Sequence, residues 1–226
     1  MPPETPAGTP TGMPAPSRIK AVLYDMDGVL IDAKDWHYEA LNEALALFGM
    51  EIKRDEHLAL YDGLPTRRKL EMLSASRQLP VRLHGFINEM KQRRTIELAY
   101  SRCRPFFPHQ YALSRLQAEG YRQAACSNSI RNTVAVMLGQ AALLPYFEFY
   151  LSNEDVAQAK PHPEIYLTAM QRMGLSPQEC LIVEDNEHGI RAARASGAHV
   201  MEVGDVYDVT YDRIRRHIAR AQGETP

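Results

Sequence analysis

A short apolar run, Ile19-Lys20-Ala21-Val22-Leu23-Tyr24, ends in Asp25-Met26-Asp27-Gly28. Two residues two apart on a strand share a face, and a glycine after them lets the backbone turn sharply away. Such a carboxylate pair can gather round one metal-bound phosphate. It can also split the work, one carboxylate as nucleophile and the other as proton carrier. Alone, the pair could be two solvated aspartates at a strand end. Three further motifs argue against that. Ala124-Ala125-Cys126-Ser127-Asn128-Ser129 ends a second apolar run and opens a helix. It offers the Ser127 hydroxyl and backbone N–H groups at a helix N-terminus, an arrangement that suits phosphate oxygens; taken alone, helix capping by Ser127 or Ser129 explains it as well. Lys160 stands in a loop stiffened by Pro161 and Pro163, where an ammonium can neutralise both a phosphate and a nucleophilic carboxylate. Leu181-Ile182-Val183-Glu184-Asp185-Asn186 again ends an apolar strand in two acids. With Asp25 they make an oxygen-rich cage for a hard divalent cation, expected to be Mg²⁺.

These residues need a scaffold that brings strand ends together. The pattern predicts strands at 19–24, Ala124–Ser127, Phe147–Ser152, Leu181–Glu184 and Val200–Val203. Helices are predicted between them, at about 109–119 and 130–139, then after Pro163 and up to Gly174, and around Ile190 and Ala193 up to Gly197. Strands alternating with helices imply a parallel α/β sheet with helices on both faces, and in such sheets sites form beyond the carboxyl ends of strands. Residues 33–104 break the rhythm. They contain no strand pattern, and Leu41, Leu45 and Phe48, then Leu70 and Leu73, then Phe86, Ile87 and Met90 repeat at helical spacing. The expected organisation is a tail (1–17), a discontinuous core (18–32 and 105–226) and a helical insertion (33–104).

At 226 residues and a formal net charge of −2, the chain has neither the charge for bulk nucleic-acid attraction nor a recognition motif for it. No segment is long and apolar enough to span a bilayer. Cys103, Cys126 and Cys180 form no CxxC pair or metal spacing, which suggests a reduced, cytoplasmic protein. Residues 1–17, rich in Pro, Gly and Thr, are not a signal peptide and are expected to be disordered, with Met13 an alternative start. The stretch Tyr211–Ala221, with Arg213, Arg215, Arg216 and Arg220, reads as an amphipathic helix with a solvated basic face.

With the motifs DMDGVL, CSNS, KPHPEIY and EDNEHG in this order, the chain from residue 18 to about 204 resembles the haloacid-dehalogenase superfamily. The insertion after the first motif matches members with an α-helical cap, in the branch similar to β-phosphoglucomutases and phosphoglycolate phosphatases. The resemblance implies a Rossmann-like α/β core and a Mg²⁺-dependent phosphatase of a small phosphomonoester, expected to be a sugar or polyol phosphate. Asp25 would form an aspartyl-phosphate, and Asp27 would protonate the leaving alcohol and then activate water. Mg²⁺ would be held by Asp25, the backbone carbonyl of Asp27, and Asp185 with help from Glu184. Ser127 and Lys160 would hold the phosphoryl group, beside Gly28 and Asn128.

In the cap, His37 would couple closure to proton transfer, and Thr66 and Arg67, in the loop Tyr61–Arg68, would touch the substrate. Arg68 and Lys69 read as a solvated helix face, and Trp36 and Tyr38 as packing residues. Asp27 argues against a dehalogenase. Ile130 and Arg131 stand where mutases carry a lysine–asparagine pair, which weakens a sugar phosphomutase, though Arg67 or Arg131 could supply a second phosphate's partner. A catalytically idle binding protein is the third alternative. The expected partner is a small phosphorylated metabolite, with no nucleic acid or membrane, and the chain a monomer or small homo-oligomer.

Overall fold

The computed structural model describes residues 18–224; the tail, with Met13, lies outside the described residues. Five strands, β1 (Ala21–Tyr24), β2 (Arg122–Cys126), β3 (Phe149–Leu151), β4 (Cys180–Glu184) and β5 (His199–Glu202), form one sheet in the order β3-β2-β1-β4-β5. All pairs are parallel. Tyr24 is level with Ala125 on one side and Val183 on the other. Asp25, Cys126 and Glu184 therefore sit at the same height, and the acid pairs and the serine loop open at one edge.

Both faces of β1 are buried, as a parallel sheet requires. Val22 and Tyr24 pack with Leu113 and Leu116 of α5 (Phe107–Ala118), Val134 and Leu138 of α6 (Arg131–Gln140), and Ile214 and Ile218 of α9 (Tyr211–Ala221). Ala21 and Leu23 face the other way, onto Ile165 and Tyr166 of α7 (Glu164–Met173) and Ala192 and Ala193 of α8 (Glu187–Ala195). Gly174 ends α7 in the left-handed conformation, where glycine has no Cβ to clash. The predicted strand 147–152 is shorter than expected because a 3₁₀ turn over Leu144–Tyr146 leads up to Phe147. In α9, Arg213 pairs with Asp208 and Arg215 with Glu119, while Arg216 and Arg220 are exposed.

Between β1 and α5 every element is helical: α1 (Lys34–Ala46), α2 (Arg54–Glu56) running into a π-helical turn over His57–Tyr61, α3 (Thr66–Arg77) and α4 (His84–Arg102). Leu41, Leu45, Ile52, Leu70, Leu73 and Ile87 form a separate apolar cluster. Phe48 and Phe86, which share the helical spacing, instead meet edge to face at the surface. The C-terminal end of α4 leaves this cluster: Ala99, with Cys103 just beyond, packs in the main core. Trp36 packs against that core too. Tyr38 meets the His57 ring edge-on and lies under Arg54. His109 is a core residue, its Nε2 donating to the Val206 carbonyl at 2.8 Å.

Candidate active site

Four strand ends and the loops after them converge on Lys160. Its buried Nζ donates to Asp25 Oδ1 (2.6 Å), Glu184 Oε1 (2.6 Å) and the Cys126 carbonyl (2.8 Å). Tyr166 OH donates to the same Glu184 oxygen, and Glu184 Oε2 accepts from Asp185 N at 3.1 Å. Burial pushes the Asp25 carboxyl well above its ordinary range; Lys160 pulls the other way, and the charges of Glu184, Asp185 and Asp27 add to the rise. Lys160 itself is raised, since its two carboxylates outweigh the cost of burial.

Asp27 turns away from this cluster. Its Oδ2 accepts from Ser129 Oγ at 2.9 Å, and its Oδ1 lies 3.0 Å from His37 Nε2. His37 Nδ1 in turn lies 3.1 Å from Lys91 Nζ. Burial and the Lys91 charge lower His37 against the pull of Asp27, and the two contacts suit a ring that donates from Nε2 to Asp27 and accepts at Nδ1 from Lys91. Burial would raise Asp27, but His37, Ser129 and Lys91 together hold it below the usual carboxylate range. Lys91, buried in α4, is pushed down to about 7 by burial and by the nearby Lys69 charge. Ser127 is the weaker partner of Asp27, at 3.5 Å; its oxygen accepts from Ser129 N at 3.0 Å and so shapes the turn.

Asp25, Glu184 and Asp185 bring carboxylate oxygens within 4.8 Å of one another. The Asp185 side chain is fully buried, its Oδ2 is 2.6 Å from Lys34 Nζ, and its Oδ1 has no hydrogen-bond partner. Burial, with the Glu184 and Asp62 charges, raises it to about 6 despite Lys34. An all-oxygen donor set with an unsatisfied buried carboxylate fits a hard divalent cation. The Asp27 side chain is no part of this set, so of Asp27 only the main chain remains as a donor. Gly28 keeps the approach open: at φ +90°, a Cβ there would lie 2.1 Å from Asp185 Oδ2.

A cavity of about 500 Å³ lies over these groups, between the sheet edge and the helical insertion. Asn128 closes one side, donating to the Gly63 and Lys160 carbonyls and accepting from Lys160 N. Thr66 and Arg67 line the cavity, but the Arg67 side chain is 89% exposed and pairs with Glu71. Arg68 is solvated, as predicted. Lys69 is not. It is buried and lines the cavity, with Nζ 3.5 Å from His57 Nε2. The physical reason is register: Lys69 shares the inward face of α3 with Leu70 and Leu73. Arg131 points away from the cavity and pairs with Asp155, so it supplies no second-phosphate group there.

Sequence reasoning missed Lys34, Asp62, Lys91, Tyr166, Ser129 as the partner of Asp27, and Asn186. One signal was available: Lys91 follows Ile87 by four and precedes Thr95 by four, on the buried face of α4. Asn186, which caps α8, donates to Asp62 Oδ2 at 2.9 Å, a tie between distant segments that spacing cannot reveal.

The model of a family described as haloacid dehalogenase-like hydrolase matches residues 22–203. A phosphorylated carbohydrates phosphatase of Thermotoga maritima is 27% identical over 182 residues, 79% of this chain and 82% of that protein. A phosphoglycolate phosphatase of Nitrosospira multiformis is 30% identical over 214 residues, 88% of this chain and 92% of that one. The crystal structure of a β-phosphoglucomutase from Clostridium difficile aligns with a TM-score of 0.77 over 89% of this chain and 98% of its own, at 20% identity, a likeness of fold. The convergent motifs, the five-stranded parallel sheet and the span of the match agree: the chain belongs to the haloacid dehalogenase-like hydrolase family.

Proposed function

We propose that the chain is a Mg²⁺-dependent phosphatase of a small phosphomonoester, working through an aspartyl-phosphate on Asp25. The observation that carries this reading is the division of labour between the two aspartates. Asp25 is held by Lys160 with the metal-type carboxylates, while Asp27 is held apart by Ser129 and His37. Asp25, as carboxylate, attacks the phosphorus, and the bond to the leaving oxygen breaks. Asp27 delivers a proton to that oxygen. The chain Lys91–His37–Asp27 supplies the proton, since each link is within hydrogen-bond distance. Asp27, now a carboxylate, takes a proton from water, which attacks the phosphorus and restores Asp25. Lys160 neutralises the charge that builds on the phosphoryl oxygens. Asp25, Glu184, Asp185 and the Asp27 backbone would hold Mg²⁺, whose charge offsets repulsion between nucleophile and phosphate. The helices of residues 34–102 act as the cap that excludes water. Buried free thiols fit a cytoplasmic setting, and no helix among the described residues is long and apolar enough to cross a membrane.

The test is phosphate release from a panel of phosphomonoesters, with sugar-phosphate isomerisation read in parallel. Activity that needs Mg²⁺ and is lost in Asp25→Asn supports the phosphatase; full activity in Asp25→Asn overturns it. Isomerisation without net phosphate release would establish the mutase. That reading draws on the two cap lysines, Lys69 and Lys91, which suit a substrate with a second anionic group.

A further inference from the structure

We infer that Lys69 is a specificity residue that selects phosphomonoesters carrying a second anionic group, a carboxylate or a second phosphate. This rests on the phosphatase reading and narrows its substrate class. The cavity has two poles. At the sheet edge lie Asp25, Asp27 and Lys160, which handle the phosphoryl group; on the cap side lie Lys69 and Lys91. Lys91 is engaged with His37. Lys69 has His57 Nε2 at 3.5 Å, and among the described residues no carboxylate is within ion-pair distance of its Nζ. Asp62 and Asp27 act on it only from farther away.

A buried ammonium without a counter-charge is costly. Burial accordingly drives Lys69 down to about 8. Its neighbours on the inward face of α3, Leu70 and Leu73, show that an apolar side chain is accepted on this face. The charge of Lys69 is felt by Lys91 and His57, yet no carboxylate of the described residues pairs with it. Its ammonium can be satisfied from the cavity, by an anion brought in on the substrate. Lys91 adds positive potential beside it, so the pole suits a full negative charge better than a hydroxyl. The volume of about 500 Å³ admits a small phosphorylated acid or a sugar bisphosphate.

The experiment compares matched pairs in Mg²⁺: phosphoglycolate against ethyl phosphate, and fructose bisphosphate against its monophosphate. Wild type is expected to favour the anionic member of one pair by about tenfold to a hundredfold in kcat/KM, the scale of one charge-assisted hydrogen bond. The pair that shows it identifies carboxylate or phosphate. In Lys69→Met that ratio falls toward one through a higher KM, and Lys69→Arg retains most of it. No preference in wild type, or equal losses on both members in Lys69→Met, overturns the inference. If wild type hydrolyses none of the four, the phosphatase reading fails on this panel. Calorimetric titration of phosphoglycolate and fructose bisphosphate into wild type and Lys69→Met still decides the anion site: neither ligand binding in a Lys69-dependent way refutes it.

Discussion

Replacing Lys160 with methionine keeps most of the side-chain stem and deletes the ammonium that joins Asp25 to Glu184. In the native protein that group is 3% exposed and makes contacts of 2.6, 2.6 and 2.8 Å. The variant is left with two buried carboxylates facing each other and a buried carbonyl without its donor. Removing one partner of a buried ion pair costs about 3–5 kcal/mol. Glu184 keeps Tyr166 and the Asp185 N–H, which places the loss near the lower end, at about 3 kcal/mol. For a chain of this size that is roughly 6–12 °C in Tm. Urea unfolding followed by circular dichroism, in EDTA, would measure it at about pH 8 and about pH 5. Asp25 is raised even with Lys160 beside it, and more so without. The folded variant then binds a proton that the unfolded chain lacks, so it regains stability as pH falls. The raised Lys160 of the wild type stays charged and contributes fully below the ordinary lysine range, and wild-type Asp25, raised less than in the variant, takes up its proton only at lower pH. The gap must therefore narrow in acid. A loss below about 1 kcal/mol, or a gap of the same size at both pH values, would refute the reasoning.

Ser129→Ala removes the shorter hydroxyl contact to Asp27. It should lower kcat roughly tenfold and move the acidic limb of the pH–rate profile upward, because that bond helps hold Asp27 low; an unmoved limb would show that Ser129 does not tune Asp27. Lys34→Ala removes a cation 2.6 Å from Asp185. Calorimetry should then show Mg²⁺ binding tighter by about tenfold, and weaker or equal binding contradicts the role given to Lys34. Lys91 is lowered to about 7 in the folded state, so the native protein gains stability from this group as pH rises from there toward the ordinary lysine value. Lys91→Met should be the more stable protein below about pH 7, with the advantage fading toward about pH 10. Denaturant midpoints across that range check it, and a variant that is less stable throughout would disprove it.

The sheet and the core motifs were legible because each carries a local signature. An apolar run ending in an acid or a serine says both that a strand stops and that a reactive group stands at its end, and Asp25, Ser127 and Glu184 stand at the ends of β1, β2 and β4. The cap side was harder. A lysine is read as solvated by default, and Lys69 was, although its spacing to Leu73 places it inside. Lys34 and Asp62 gain their roles only from Asp185 and Asn186, more than a hundred residues away, and no short-range pattern encodes such a meeting. Ser129 was passed over for Ser127 because both suit the motif. Only the turn itself decides which hydroxyl points at Asp27.

Helix α4 has a bearing on how this architecture can be re-engineered. Its 19 residues make a rod about 28 Å long that starts among the apolar side chains of the insertion and finishes in the main core. The insertion is thus tethered on one side by the short turn that follows β1 and on the other by a stiff strut. A graft that exchanged it for that of a relative could not be cut at α4 as though at a loose connector. Adding or removing a single residue would rotate the far end by about 100° and turn Ala99 away from the face it now seats. Transplanted selectivity would have to travel with the whole strut, in phase.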